Sequence, residues 1–308
     1  MKSLFIAILV LGGGALCHAT EKIHTIVDDG WQGIHGWHFS GRLTEVHRPP
    51  AAKTGGWSAL YRNTRLLFAS GEEGLVTFHA GDNEWTLRTD EHGYWELAGN
   101  QPLGLSPGWH EIESAPLASS PAGFLVVDPR NSVAIISDID DTILVTGVLD
   151  KALLLKNSLT VPPEQREAVP GMAELYRNLL GKNPAPEASA VFYLSSSPRQ
   201  LTDNLRRFLS AAGFPRGVLQ LRDPSREKSD SASNHEVFKL RHIEAICAAF
   251  PKLRFTLFGD DGEYDPEIYA EVKKRHPDQV AAIWIRHLNP DKNRRTFPDE
   301  GNVRELLP

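Results

Sequence analysis

Residues 133–148 read V-A-I-I-S-D-I-D-D-T-I-L-V-T-G-V. Four apolar residues, Val133 to Ile136, run directly into carboxylates. Asp138 and Asp140 stand two apart, and Thr142 follows two later. An unbroken apolar run of this kind predicts a strand covered on both faces, as in a parallel sheet. Open α/β sheets carry their chemistry just past the carboxyl ends of the strands, so Asp138 is expected to emerge at such a place. The competing reading is an acidic turn without a chemical role, since Asp is common in turns.

Working outward towards the carboxyl end, apolar runs alternate with amphipathic stretches, the pattern of an α/β fold with a mostly parallel sheet. Residues 149–169, L-D-K-A-L-L-L-K-N-S-L-T-V-P-P-E-Q-R-E-A-V, read either as a lid over the strand ends or as a plain crossover. A helix is predicted from Gly171 to Leu180. A second strand, Ala188–Leu194, ends in Ser195-Ser196-Ser197-Pro198. Those serines could cap the next helix, bind an anion at its amino end, or both. That helix, Arg199–Ala212, places Leu201, Leu205, Phe208 and Leu209 on one face and stops at Gly213. A third strand spans Gly217–Leu221, and the polar residues 223–236 read as an exposed loop. The following helix buries a stripe of Val237, Leu240, Ile243, Ile246, Cys247 and Phe250, with Lys239 and Arg241 off it. A fourth strand, Arg254–Phe258, runs into G-D-D-G-E-Y-D-P-E-I-Y, residues 259–269, where Asp265-Pro266 opens a helix.

The amino-terminal half has a different texture. Short alternating runs such as Arg65–Phe68, Leu75–His79, Trp85–Thr89, Tyr94–Leu97, Trp109–Ile112 and Phe124–Val127 are broken by turn residues. This predicts a small all-β sandwich over residues 20–130, joined by Asp128-Pro129-Arg130-Asn131 to a second domain over 131–308. Six of the seven tryptophans lie here (Trp31, Trp37, Trp57, Trp85, Trp95, Trp109). They are read either as core or as an aromatic ligand face. Seven histidines lie between residues 20 and 130 without metal-site spacing, and residues 48–57 read as an exposed loop.

Residues 1–19 carry Lys2, an apolar run from Leu4 to Leu11 and Cys17-His18-Ala19, which reads as a cleavable secretory signal. A secreted or periplasmic location is the expectation. With Cys17 removed, Cys247 has no partner for a disulfide. A chain of 308 residues, 41% hydrophobic and 23% charged, suits a two-domain globular protein. Its net charge of −6 offers no footprint for nucleic acid.

Asp-x-Asp-x-Thr after a hydrophobic strand resembles the nucleophile motif of the haloacid dehalogenase superfamily. That resemblance implies a Rossmann-like catalytic domain behind the β-sandwich. It also implies that Asp138 attacks phosphorus and becomes an aspartyl phosphate, with Asp140 as acid and base and Thr142 shaping the loop. Ser195, or next Ser196, would donate to a phosphoryl oxygen, and Lys239 would neutralise the charge of aspartate and phosphate. Mg²⁺ would be held by Asp138, the backbone carbonyl of Asp140 and Asp260, with Asp265 in support.

Several segments together narrow the resemblance: 137–148, F-Y-L-S-S-S-P (192–198), G-F-P-R-G-V-L-Q-L-R-D (213–223), F-T-L-F-G-D-D-G-E-Y-D-P-E-I-Y (255–269) and I-W-I-R (283–286). This combination is similar to the catalytic domain of the actin-patch-associated, Mg²⁺-dependent phosphatidate phosphatases and their bacterial relatives, which often carry a β-sandwich ahead of it. T-D-E-H-G-Y-W, 89–95, is similar to the transthyretin-like sandwiches that precede some secreted enzymes. The resemblance implies hydrolysis of phosphatidate to diacylglycerol and phosphate, with a phospholipid substrate and peripheral membrane contact. Two positions depart from the pattern: Arg199 stands after Ser-Pro in place of an aromatic, and Phe238 stands before Lys239 in place of a histidine. The alternatives are a secreted phosphatase of soluble phosphomonoesters, or a binding protein with a vestigial phosphatase site.

Overall fold

The computed structural model describes residues 23–45, 71–118, 121–146, 161–222, 232–288 and 296–307. The signal segment, the 48–57 loop, the Arg65–Phe68 run, Trp57, residues 149–160 of the expected lid and the first part of the 223–236 loop lie outside them. The chain is mixed α/β. Among the described residues no helix is long and apolar enough to cross a membrane.

Eight strands come first: β1 (Ile23–Val27), β2 (Gly30–Gly33), β3 (Gly36–Glu45), β4 (Leu75–Ala80), β5 (Asn83–Arg88), β6 (Tyr94–Gly99), β7 (Gly108–Ala115) and β8 (Ala122–Val126). They form one hydrogen-bonded sheet in the order β1-β3-β2-β8-β7-β4-β5, with β6 also paired to β3. Neighbouring strands lie about 4.8 Å apart, so Phe39 on β3 and Phe78 on β4 would be far apart on a flat sheet. Their rings are 5.1 Å apart, so the sheet curls over a shared core. Alternation along β4 aims Val76, Phe78 and Ala80 into that core. Trp37, Trp85 and Trp95 fill it with Phe39 and Phe124. Trp31 and Trp109 turn the other way and pack against the second half of the molecule.

The second sheet holds β9 (Val133–Ser137), β10 (Val191–Pro198), β11 (Val218–Arg222), β12 (Arg254–Asp260), β13 (Val280–Arg286) and β14 (Glu300–Asn302). Its order is β11-β10-β9-β12-β13-β14, and every neighbouring pair is parallel. The apolar run of residues 133–136 is therefore the central strand, with Ala134, Ile135 and Ile136 fully buried. The chain winds from β9 to β10 and β11 on one side, then crosses to β12, β13 and β14 on the other. The reversal falls between β9 and β12, the place where open parallel sheets leave a crevice.

Among the described residues, four helices cover both faces: α1 (Met172–Leu180), α2 (Thr202–Ala211), α3 (Ala232–Ala249) and α4 (Asp265–Arg275). Tyr176, Leu205 and Phe208 from α1 and α2 pack on one side. Ile243, Ile246, Cys247, Tyr269 and Val272 from α3 and α4 pack on the other, where Leu125 of β8 joins them. The two sheets thus share a core, and the Ile34 N–H donates to the Ala249 carbonyl at 2.9 Å across the join.

Three local expectations need correction. Helix α3 begins at Ala232, inside the expected loop 223–236. Starting earlier, it presents Phe238 to the core and leaves Val237 at 61% exposure, although Val237 was expected on the buried stripe. The second strand begins at Val191, because Pro186–Ala188 forms a 3-10 turn whose last residue packs inward. At the carboxyl end, β14 has no apolar run to announce it and pairs with β13 through Ile283–Ile285.

Candidate active site

Asp138 is the first residue beyond β9. Its N–H continues the ladder by donating to the Phe258 carbonyl of β12 at 2.9 Å. Its side chain is buried and fully engaged. One oxygen accepts from Lys239 Nζ at 2.8 Å, the other from the Thr142 hydroxyl at 3.0 Å. Thr142 returns to Asp138 because the chain turns tightly: the N–H groups of Ile143 and Leu144 both donate to the Ile139 carbonyl at 3.0 Å. Asp141 makes that turn with φ +56, in the left-handed region that Asp tolerates better than most residues. Its carboxylate accepts from the Thr146 N–H at 3.0 Å.

Asp260 ends β12, directly beside Asp138, and accepts from the Gly262 N–H at 2.6 Å. Asp265 opens α4 and accepts from Lys239 Nζ at 2.5 Å. Carboxylate oxygens of Asp138, Asp260 and Asp265 lie within 4.8 Å of one another, and all three residues are buried. Gly259 lets Asp265 come this close, since a β-carbon there would sit 2.6 Å from the Asp265 side chain.

Lys239 is only 2% exposed and bridges Asp138 and Asp265. Burial alone would lower its pKa, but the two carboxylates outweigh that and hold it well above the ordinary lysine value. The carboxylates move the other way. Burial pushes Asp138 up, and the Lys239 charge only partly offsets burial and the neighbouring acids. Burial, with Asp265 adding, pushes Asp260 up to about 8. Burial likewise raises Asp265 against Lys239. Three carboxylates facing one ammonium leave two negative charges unmatched in a buried place. An all-oxygen donor set with that excess fits a hard divalent cation.

Asp140 lies apart from this cluster. Its Oδ2 accepts from the Ser195 hydroxyl at 2.9 Å and the Ser197 hydroxyl at 3.0 Å. Burial raises its pKa, opposed by the Arg166 charge and by both serines. Ser195 is fully buried and also accepts from the Ser197 N–H at 2.9 Å. The serines therefore do not cap α2, which has no side-chain cap. Ser196 Oγ is buried and lacks a hydrogen-bond partner among the described residues.

The expected site residues thus fall into two adjoining groups: Asp138, Thr142, Lys239, Asp260 and Asp265 in one, Asp140 and Ser195 in the other. Only the backbone of Asp140 was expected to ligate a cation, and its side chain is outside the three-carboxylate cluster. Sequence reasoning missed Ser197, Asp141 and Arg166. Ser197 was visible as the third member of the serine run, whereas Arg166, in the stretch expected as lid or crossover, had no sequence signal. Asp261, next to Asp260, turns away and accepts from the Leu288 N–H at 2.9 Å. A cleft of about 540 Å³ along α2, lined by Asp29, Glu111, Arg206, Arg207 and Arg216, includes none of these site residues.

Residues 133–287 match the family model described as phosphatidate phosphatase APP1, catalytic domain. Phosphatidate phosphatase APP1 of Saccharomyces cerevisiae is 32% identical over 183 residues, which are 56% of this chain and 30% of that protein. An uncharacterized protein of Schizosaccharomyces pombe is 27% identical over 173 residues, 53% of this chain and 26% of that one. This chain spans under a third of the length of these relatives. A solved structure of the Pnkp1/Rnl/Hen1 complex overlays with a TM-score of 0.36 at 17% identity, covering 52% of this chain and 47% of that one, too distant to bear on function. The match begins at β9 and ends one residue past β13, so it takes in every strand end that carries a carboxylate of the site, and the chain belongs to the family of phosphatidate phosphatase APP1 catalytic domains.

Proposed function

We propose that this protein is an Mg²⁺-dependent phosphatase that hydrolyses phosphatidate to diacylglycerol and phosphate. The reading rests on one observation above others: Asp138 at the end of the central strand, held by Lys239 at 2.8 Å and Thr142 at 3.0 Å, with Asp140 oriented separately by two serines. Two carboxylates two residues apart are given different surroundings, which suits them to different tasks.

Asp138 attacks the phosphorus in line, its oxygen forms the new bond, and the bond to the lipid alkoxide breaks. Asp140, whose pKa burial raises, gives its proton to that alkoxide. Water then attacks the aspartyl phosphate while Asp140 takes its proton, which restores the Asp138 carboxylate and releases phosphate. Lys239 and the Ser196 hydroxyl hold phosphoryl oxygens, the Ser195 hydroxyl being committed to Asp140, and Thr142 fixes the nucleophile. A divalent cation at Asp138, Asp260 and Asp265 would offset the phosphate charge.

The reading carries a fold assignment with it: a haloacid dehalogenase-type, Rossmann-like catalytic domain over 131–308, behind an all-β domain over 20–130. It carries a location as well, secreted or periplasmic, from the signal at 1–19. An exposed aromatic next to a site residue favours a lipid substrate: Tyr264, 39% exposed, stands immediately before Asp265.

Phosphate release by the full chain should be measured with Mg²⁺ and with chelator, on phosphatidate in mixed micelles and on soluble phosphomonoesters. Mg²⁺-dependent release from phosphatidate is expected, and Asp138→Asn should lower it roughly a thousandfold or more. Release from soluble esters alone would keep the chemistry and overturn the lipid substrate.

A further inference from the structure

Arg199 stands at the join between the two sheets. It directly follows Ser195-Ser196-Ser197-Pro198, and its side chain is 16% exposed. Its guanidinium pairs with Asp28 at 3.0 Å and lies over the Tyr94 ring at 5.6 Å, and both partners belong to the first sheet's part of the chain. Asp28 is itself held by the Ser40 hydroxyl at 2.5 Å. The next residue, Asp29, repeats the arrangement with Arg206 of α2 at 3.0 Å and also accepts from the Gly123 N–H. Two consecutive buried aspartates, in the break between β1 and β2, thus grip the segment that follows the serines at two of its three arginines.

We propose that the first sheet is a working part of the active site, and that Arg199, anchored by Asp28, is a positioning residue for the Ser195–Ser197 strap that orients Asp140. The backbone of the strap is also held by the Ser197 N–H, which donates to Ser195 Oγ at 2.9 Å, and by the pairing of Pro198 with Arg222. The β10–β11 register shifts between Ser195 and Pro198, so the ladder that fixes Phe192 to Ser195 is interrupted where Ser197 must be placed. Past the irregularity, side-chain anchors are the Arg199–Asp28 pair and the Thr202 hydroxyl, which donates to the Arg199 carbonyl at 2.6 Å. From there the connection runs through Pro198 to Ser197 and Ser195, and through their hydroxyls, at 3.0 and 2.9 Å, to Asp140. A guanidinium suits this task, because it can pair with a carboxylate and stack on a ring at once, and an aromatic side chain at 199 could supply only the ring contact. The departure at 199 from the family pattern is thereby matched by acids on the first sheet.

This inference rests on the phosphatase reading, and the test separates the two. The full chain is assayed with saturating Mg²⁺ on p-nitrophenyl phosphate, as wild type, Arg199→Met, Arg199→Lys, Asp28→Asn and Arg216→Met, and each variant's folded fraction is taken from thermal melting. Arg216 makes an exposed ion pair with Glu111 across the same join and touches neither the strap nor the site. Arg199→Met and Asp28→Asn should each lower kcat per folded molecule about tenfold with KM within about twofold, because misplacing the acid–base group weakens only the transition state. Arg199→Lys should recover kcat to within about threefold of wild type, and Arg216→Met should leave it unchanged. Asp28→Asn preserves shape and keeps the test open should Arg199→Met fail to fold. Both variants retaining wild-type kcat per folded molecule, while melting lower, would overturn the positioning role and leave the phosphatase reading intact. A wild-type chain inactive on every phosphomonoester would overturn both.

Discussion

Asp260 shows how one carboxylate can carry a pH signature. Burial and Asp265 raise its pKa in the folded, cation-free chain to about 8, while an unfolded Asp titrates near 3.8. Between those values the folded state holds a proton that the unfolded state has released. The stability this contributes is fully present below the unfolded value and is lost as pH rises towards about 8. The loss is about 1.4 kcal/mol per pH unit for each such proton. A bound cation takes the proton's place. Mg²⁺ should therefore raise the melting temperature more at pH 8 than at pH 5, and Asp260→Asn should flatten the cation-free pH profile. Equal Mg²⁺ shifts at both pH values would argue against a cation at these carboxylates. A second residue-scale expectation concerns Gly259, where a β-carbon would fall 2.6 Å from the Asp265 side chain. Gly259→Ala should cost about 1–3 kcal/mol of stability as overpacking does, and titration by melting should show weaker Mg²⁺ binding.

At the scale of elements, α3 couples the core to the site. One turn of it places Phe238 in the core and Lys239 between two buried carboxylates. Removing the ammonium leaves Asp138 and Asp265 without a counterion. Lys239→Met should therefore abolish turnover and, in the cation-free chain at pH 8, lower stability by about 3–5 kcal/mol, the cost of breaking a buried pair. Denaturant unfolding measures it. Because the uncompensated carboxylates can take up protons, the loss should shrink at pH 5, and a loss independent of pH would mean that Lys239 acts mainly through its packing. The element boundaries follow from equally local causes. Strands β9 and β12 were legible because both faces are covered and their runs are mainly apolar, with Thr256 the polar residue inside β12. The start of α3 was not, because its first turn reads A-S-N-H and carries no apolar period.

For the whole molecule, the shared core makes the two sheets interdependent. Leu125 of β8 is fully buried among side chains of the parallel-sheet half, Trp31 packs against Phe250 at 5.6 Å, and Gly33 lets the backbone approach Ala249 so closely that a β-carbon would lie 2.6 Å from its carbonyl oxygen. Residues 131–308 expressed alone would expose this apolar surface to water. That piece should melt lower than the full chain and associate at micromolar concentration, as light scattering would detect. A monomeric piece with the full chain's melting temperature would show that the join contributes nothing to stability.

The sequence by itself determined the α/β character of the second half, the central strand and the strand ends where carboxylates and serines emerge. Those properties are local: an apolar run covered on both faces can hardly be anything but an inner strand, and its end is written in the chain. Only the tertiary structure decided which groups meet. Lys239 fell off the apolar stripe and only the resemblance gave it a role, and it is buried because it reaches Asp138 and Asp265 beyond the ends of β9 and β12. The serines were expected to bind an anion, to cap α2 or both, and they hold Asp140 because β10 lies beside β9. Arg199 looked like a departure without a partner, since its aspartate is 171 positions away in the chain. Sheet order and helix placement create contacts between distant segments, and no periodicity within either segment encodes them.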